Sequence, residues 1–289
     1  MSATCQIVSA VVCDIGRRRR NNEDYALACE PNDPATRAEN GCLYIVADGV
    51  GGGAAGEVAS QFSAHFVMHH YYTQPGTASR RLQQGIAAAN AILYRYAQDH
   101  PRLSTMGTTI VAAAIHAGTL SIAHVGDSRA YLLRQKAIQR LTQDHNLAAQ
   151  LARDGLITQS QVANHPHRNL LLRSLGGDKT VASEIAEIPL EAGDQVLLCS
   201  DGLTRHIQDA EIEEIATACK PGEAVRTLVE RANHRGGEDN ITVAIACWGC
   251  SADPAATVLG ILTEPPPEPD IDSILRESQS HAAGHVVRQ

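Results

Sequence analysis

Asp24, Asp48, Asp127, Asp201 and Asp239 are acids placed where a folded chain could bring them together. Each stands at the end or the start of an apolar run. Tyr44-Ile-Val-Ala leads into Asp48-Gly49, Val196-Leu-Leu-Cys-Ser into Asp201-Gly202, and Leu120-Ser-Ile-Ala-His-Val-Gly into Asp127; Asp239 precedes the last run and Asp24 opens one. Carboxylates and accessible backbone carbonyls are what hard divalent cations bind. A glycine after the acid lets the backbone turn sharply and leaves its carbonyl open. A lone Asp at such a place is a turn former or a helix cap. Five of them, with no lysine nearby to neutralise them, point to a metal cluster, because clustered carboxylates repel one another unless protonated or metal-bound.

A second feature is Gly16-Arg-Arg-Arg-Arg-Asn-Asn-Glu-Asp-Tyr-Ala-Leu27, four arginines running into Glu23 and Asp24 in a chain of net charge −8. A nucleic-acid arm, an export signal and an anion site are the alternatives. A pI near 5.9 argues against general nucleic-acid binding. The arginines follow the apolar N-terminal residues instead of preceding them, which removes the export reading. An anion site remains. Gly51-Gly-Gly-Ala-Ala-Gly56 satisfies GxGxxG between a strand and a helix. A dinucleotide fold also needs a parallel βαβ unit and an acid some twenty residues on, roughly where Gln74-Pro75-Gly76 has none. The glycines read better as a loop that lets backbone approach a metal or a phosphate. Cys247-Trp-Gly-Cys250 has the spacing of redox or zinc sites, but it closes an apolar run without a second such pair, so its cysteines read, like the other six, as small hydrophobes.

Positioning these residues requires strands and paired helices. Period-two and apolar runs predict strands at 6–13, 25–30, 42–47, 108–116, 120–126, 130–134, 137–141, 181–188, 195–200 and 241–248. Helical spacing predicts helices over 57–72, 80–98, 210–218 and 222–233, with 145–169 polar, helical and interrupted by an Asn-His-Pro-His loop. Runs of strands with helices in pairs, without strand–helix alternation, indicate α+β with antiparallel sheets. Beyond residue 250, Pro265-Pro-Pro-Glu-Pro269 reads as a stiff linker before a flexible tail with one weak helical patch at Ile271, Ile274 and Leu275. With aromatics at 3%, the core must be built from Ala, Val, Ile and Leu. No apolar run is long enough to span a membrane, no secretory signal is recognisable, and a cytoplasmic location is expected.

The ordered set Arg19-x-x-Asn22-Glu23-Asp24, Asp48-Gly49-x-Gly51-Gly52, Gly107-Thr-Thr109, Gly126-Asp-Ser-Arg-Ala-Tyr131, Leu141-Thr-x-Asp-His145, Ser200-Asp-Gly202 and Asp239-Asn-x-Thr242 resembles the metal-dependent protein phosphatases of type 2C, in the compact form of bacterial members. The resemblance implies a four-layer αββα sandwich of two antiparallel sheets flanked by helix pairs over residues 1–250, with a flap at about 147–175. It also implies two Mn²⁺ or Mg²⁺ ions and a third held weakly. Asp48 would bridge both ions, the Gly49 carbonyl would bind the second, Asp201 and Asp239 would complete the first, and Asp127 would hold the third. Asp24, in the catalytic set with Arg19 and Asp48, would hold metal-bound waters, as would Glu23 beside it, with Asn240 behind them. Arg19, five residues before Asp24, would bind the substrate phosphate, leaving Arg17, Arg18 and Arg20 to solvent or to acidic phosphopeptides. The activity implied is hydrolysis of phosphoserine and phosphothreonine by direct attack of a water or hydroxide bridging the ions.

One departure stands out. Val50 occupies a position where many eukaryotic members carry a proposed general-acid His, and nothing in the sequence places His145 or His65 in the site. The expected partners are phosphorylated proteins and a cognate Ser/Thr kinase, with no nucleic acid or membrane, for a monomer. Two other functions compete: a catalytically weak binder of phosphoproteins, which the intact acidic set disfavours, and a nuclease or other two-metal hydrolase, which the motif order disfavours.

Overall fold

The computed structural model describes residues 7–250 and 261–286. In chain order these are β1 (Ile7–Asp14), β2 (Asp24–Cys29), α1 (Pro34–Asn40), β3 (Cys42–Val50), α2 (Ala54–Thr73), α3 (Ala78–Asp99), β4 (Gly107–Thr108), β5 (Ile110–His116), β6 (Thr119–Val125), β7 (Arg129–Arg134), β8 (Ala137–Arg140), α4 (Leu147–Arg153), α5 (Gln159–Val162), β9 (Glu184–Pro189), β10 (Gln195–Cys199), α6 (Asp201–Thr204), α7 (Asp209–Ala218), α8 (Pro221–His234), β11 (Ile241–Trp248), β12 (Ile261–Leu262) and α9 (Ile271–Val286).

One sheet has the order β1-β11-β10-β7-β8, the other β12-β2-β3-β5-β6-β9 with β4 beside β3. Every pairing is antiparallel except β12 on β2. The sheets face each other across a layer of small and branched residues, among them Ala28, Val46, Ala113, Ala130, Leu198 and Ala244. Its scarcity of rings lets the backbones lie close. Outside, α2 and α3 pack on one sheet through Val58, Phe62, Leu82 and Ile86, and α7 and α8 on the other through Ile212, Val225 and Leu228. The result is the expected αββα sandwich.

Several local expectations are corrected. Helix α1 lies outside the elements that the sequence patterns predict, although Asp33 caps it by accepting the Thr36 N–H at 2.8 Å and Pro34 supplies its first turn. The region 145–169 divides into α4 and α5 with turns between them, instead of one polar helical stretch. Cys247 and Cys250 are bridged at the end of β11 farthest from the acids, so they are not a free pair of small hydrophobes. Residues 251–260, where the linker is expected to begin, lie outside the described residues. Residues 261–278 are docked, in contrast to the expected flexible tail. Strand β12 pairs with β2, His69 donates to the Pro266 carbonyl at 3.1 Å, and Ile271, Ile274 and Leu275 pack against the core beneath α2 and α3. A patch that short carries little helix by itself; tertiary burial supplies the stability that propensity does not.

Candidate active site

The strand register gathers the acids. Asp24, the first residue of β2, lies opposite Asp48 near the end of β3. In the other sheet β10 ends at Cys199, paired with Val243 of β11. Asp201, just past β10, and Asp239, just before β11, therefore come to the same edge of the sandwich. Asp127 arrives there from the turn after β6.

The backbone that carries them is tightly fixed. A Cβ on Gly49 would lie 2.2 Å from the Gly56 carbonyl oxygen and 2.6 Å from that of Glu23, and one on Gly202 would lie 1.9 Å from the carbonyl oxygen of Asn240. Glycine at both places is a requirement of close approach. The Asp48 N–H donates to Thr109 Oγ1 at 3.1 Å, while Thr108 Oγ1 and the Thr109 N–H donate to the Asp48 carbonyl at 3.0 and 2.9 Å. Asp24 links the two sheets, since Ser200 Oγ and Thr242 Oγ1 each donate to its Oδ2 at 2.7 Å. Glu23 closes the glycine loop by accepting the Gly53 N–H at 2.8 Å. The Asn240 side chain is fully engaged: its Oδ1 accepts the Glu23 N–H at 2.9 Å, and its Nδ2 donates to the carbonyls of Ile15 and Asn21 at 2.9 and 3.1 Å. It clamps the loop that bears the arginines.

The electrostatics of the carboxylates follows from their crowding. Burial pushes Asp24 up to about 7, with the bonds from Ser200 and Thr242 opposing and the charges of Asp201 and Asp239 adding to it. Burial, then Asp201 and Asp144, push Asp127 up to about 8. Asp48 is held well above the carboxylate range by burial and by Asp24, Asp201, Asp127 and Asp239. Asp201 Oδ1 is buried without a hydrogen-bond partner. A buried carboxylate oxygen in that state is costly unless a cation supplies what is missing, so the donor set, all hard oxygen, fits Mn²⁺ or Mg²⁺.

Arg19 reaches the cluster from its exposed loop, with Nη2 2.7 and 2.9 Å from the two carboxylate oxygens of Asp239. Arg17, Arg18 and Arg20 are exposed beside it. Sequence reasoning missed Arg205. Its guanidinium bonds Asp201 Oδ2, with Nε at 3.0 Å, and also lies 3.0 Å from Asp239 Oδ2. The Asp201/Arg205 spacing of four at a helix start was the available signal. A cavity of about 560 Å³ opens beside Asp127, Asp201 and Arg205 and is bounded across from them by Asn164, Arg168 and Asn169.

Two histidines considered in the sequence are elsewhere. His65 bonds the Tyr25 hydroxyl at 2.9 Å. His145 stacks on His124 with ring centroids 4.5 Å apart and meets Glu184 at 2.9 Å. One ligand atom from each of these three residues lies within 4.8 Å of the others. Val50 is 39% exposed and brings no proton donor.

A family model described as Protein phosphatase 2C matches residues 18–242. The chain is 38% identical over 238 residues to the serine/threonine phosphatase stp of Listeria innocua, covering 80% of this chain and 92% of that protein. Among solved structures, Stp1 of Staphylococcus aureus, a serine/threonine phosphatase, superposes with TM-score 0.77 at 31% identity, covering 86% of this chain and 97% of that one. The catalytic domain of the serine/threonine protein phosphatase PstP, in complex with two manganese ions, gives TM-score 0.74 at 33% identity, covering 85% and 99%.

Proposed function

The chain belongs to the protein phosphatase 2C family, and from that premise we propose that it is a metal-dependent serine/threonine phosphatase that hydrolyses phosphoserine and phosphothreonine in proteins. The observation that carries the reading is the group of carboxylates gathered at one edge of the sandwich, several held above the ordinary carboxylate range by burial and by one another, together with the partnerless Oδ1 of Asp201. Mn²⁺ or Mg²⁺ is the cofactor, as two ions with a weaker third. Asp48, the Gly49 carbonyl, Asp201, Asp239 and Asp127 would hold the ions. When bound, the ions acidify water to a nucleophile near neutral pH and offset charge on the transferred phosphoryl group.

The chain's own residues do the rest. Asp24 and Glu23 hold the floor of the site, one across the two sheets and the other across the glycine loop. Asn240 holds the arginine loop in register. Arg19, which rests on Asp239 in this structure, would grip the phosphate dianion with a planar pair of donors. No side chain need bond covalently to phosphorus. Because Val50 offers no proton, the leaving alkoxide takes its proton from solvent or from a group outside that position. The cavity rim at Asn164, Arg168 and Asn169 offers polar contacts to peptide flanking the phosphoresidue. Substrates are shared with an opposing Ser/Thr kinase, and the enzyme works as a monomer in the cytoplasm.

The test is phosphate release from a phosphothreonine peptide with Mn²⁺, with Mg²⁺ and with chelator, beside Asp239→Asn. Release that needs the metal and vanishes in the variant is expected. A folded protein that releases nothing with any divalent ion would overturn the reading in favour of phosphoprotein binding.

A further inference from the structure

Arg205 is the feature of this site that the assigned roles do not use. It stands in the turn that ends the short helix α6, with its side chain 21% exposed at the cavity wall. One guanidinium spans two carboxylates that flank different strands: Asp201, just past β10, bonded through Nε at 3.0 Å and through Nη2, and Asp239, just before β11, through Nη1 at 3.0 Å. These acids sit beside Asp48, Asp24 and Asp127 in a buried group that cannot carry all its charges uncompensated. Arg19 also contacts Asp239, but from a side chain 48% exposed. Arg205 is thus the more enclosed of the two cations facing the first-ion ligands.

We propose that Arg205 is a built-in counter-cation that holds Asp201 and Asp239 together and competes with a divalent ion for them, so that this one residue sets the metal concentration at which the site fills. The inference rests on the reading of Asp201 and Asp239 as metal ligands. The physics is linkage: two cations that use the same carboxylate oxygens weaken each other's binding by the same factor. The contested oxygen is Asp239 Oδ2, which lies 3.0 Å from Arg205 Nη1; at Asp201 the guanidinium holds Oδ2 and leaves the buried, partnerless Oδ1 open to a cation that must then sit beside the guanidinium charge. The arginine thereby lowers the self-repulsion of the acids before an ion arrives, at the expense of affinity for that ion.

The experiment is calorimetric titration of the full chain with MnCl₂ at pH 7.5, for wild type, Arg205→Gln, Arg205→Lys and Asp239→Asn, with melting temperatures of each in chelator and in saturating Mn²⁺. Removing a charge-assisted pair should tighten the first Mn²⁺ site about tenfold in Arg205→Gln. Lysine keeps the charge but cannot span both carboxylates, and should give a change of about threefold in the same direction. Arg205→Gln should melt lower than wild type in chelator and level with it in saturating Mn²⁺. A residue with only a packing role would lower both melts equally and leave the affinity unchanged, which would overturn the inference. Weaker Mn²⁺ binding in Arg205→Gln would overturn it too. Should Arg205→Gln not fold without metal, an unchanged or weaker affinity in Arg205→Lys has the same force. Mn²⁺ binding that survives Asp239→Asn overturns the ligand reading and the inference with it, whereas binding lost there but unmoved by Arg205→Gln overturns the inference alone.

Discussion

Two clusters of titratable side chains among the described residues invite comparison, and the more compact one is the less suited to a metal. His124, His145 and Glu184 bring their ligand atoms within 4.8 Å of one another. Their hydrogen bonds, however, are already made. The Gly126 N–H donates to His145 Nδ1 at 3.1 Å, so the proton of a neutral ring sits on Nε2, where it is donated to Glu184 at 2.9 Å. His124 Nε2 donates to the Gln143 carbonyl at 2.9 Å, and burial pushes its pKa down to about 4. One imidazole lone pair is left for a cation. The acids around Asp48 are the reverse case, with carboxylates under mutual repulsion and a buried oxygen without a partner. Nearness alone does not make a metal site; unmet electrostatic demand does.

That contrast can be broken at four points. The largest effect is expected from Asp48→Asn, which should lower phosphate release about a thousandfold and abolish high-affinity Mn²⁺ binding by calorimetry. A variant retaining a tenth of the wild-type kcat would place the acids on the same footing as the histidines. Next, Arg19→Ala should cost about a hundredfold in kcat/KM and Arg17→Ala about twofold or less, measured on one phosphopeptide. Equal losses would dissolve the distinction between the arginine on Asp239 and its exposed neighbour.

The third point is pH. Asp24 and Asp127 have folded pKa values of about 7 and about 8, above their ordinary value of 3.8. The metal-free folded state therefore holds protons that the unfolded chain has already lost, and stability falls as pH rises through the folded values. Below about pH 6.5 the depressed histidines pull the other way, since the unfolded chain then takes up protons that buried His124 refuses. Chemical denaturation in chelator should thus show a loss of about 1–2 kcal/mol between pH 6.5 and 8, restored by Mn²⁺ and flattened in Asp127→Asn. A flat wild-type profile would remove the charge strain from the acid cluster. The smallest effect on function is expected from His145→Ala. It leaves the buried Gly126 N–H unpaired and should destabilise the fold by about 1–2 kcal/mol, with Mn²⁺ stoichiometry unchanged and activity per folded molecule within about threefold of wild type. A lost ion in that variant would mark the trio as a ligand set after all.

The sequence showed the acids at strand ends because apolar runs stop abruptly at Asp48-Gly49 and Asp201-Gly202. It could not show that Asp24 faces Asp48, since register depends on partners distant in the chain. Helix α1 was legible in Asp33-Pro34, a cap followed by a first-turn proline, but seven residues carry too little periodicity to be noticed. Half of Arg205 was legible, through its spacing from Asp201. Its second partner, Asp239, arrives from another strand and had no local trace. The docked C-terminal helix was hidden for a related reason: Ile271, Ile274 and Leu275 gain their meaning only from the groove they meet.

That C-terminal segment changes what counts as the folding unit. The family model ends at residue 242, yet β12 lies along β2, with the Glu30 and Asn32 N–H groups donating to the carbonyls of Leu262 and Thr263 at 2.8 and 2.9 Å. Without it, β2 would be an open margin of the sheet, its backbone groups available to any extended peptide, another copy of the same strand included. A chain trimmed after β11, at Trp248, would keep every acid of the site and lose the selvedge that stops the sheet from fraying into its neighbours.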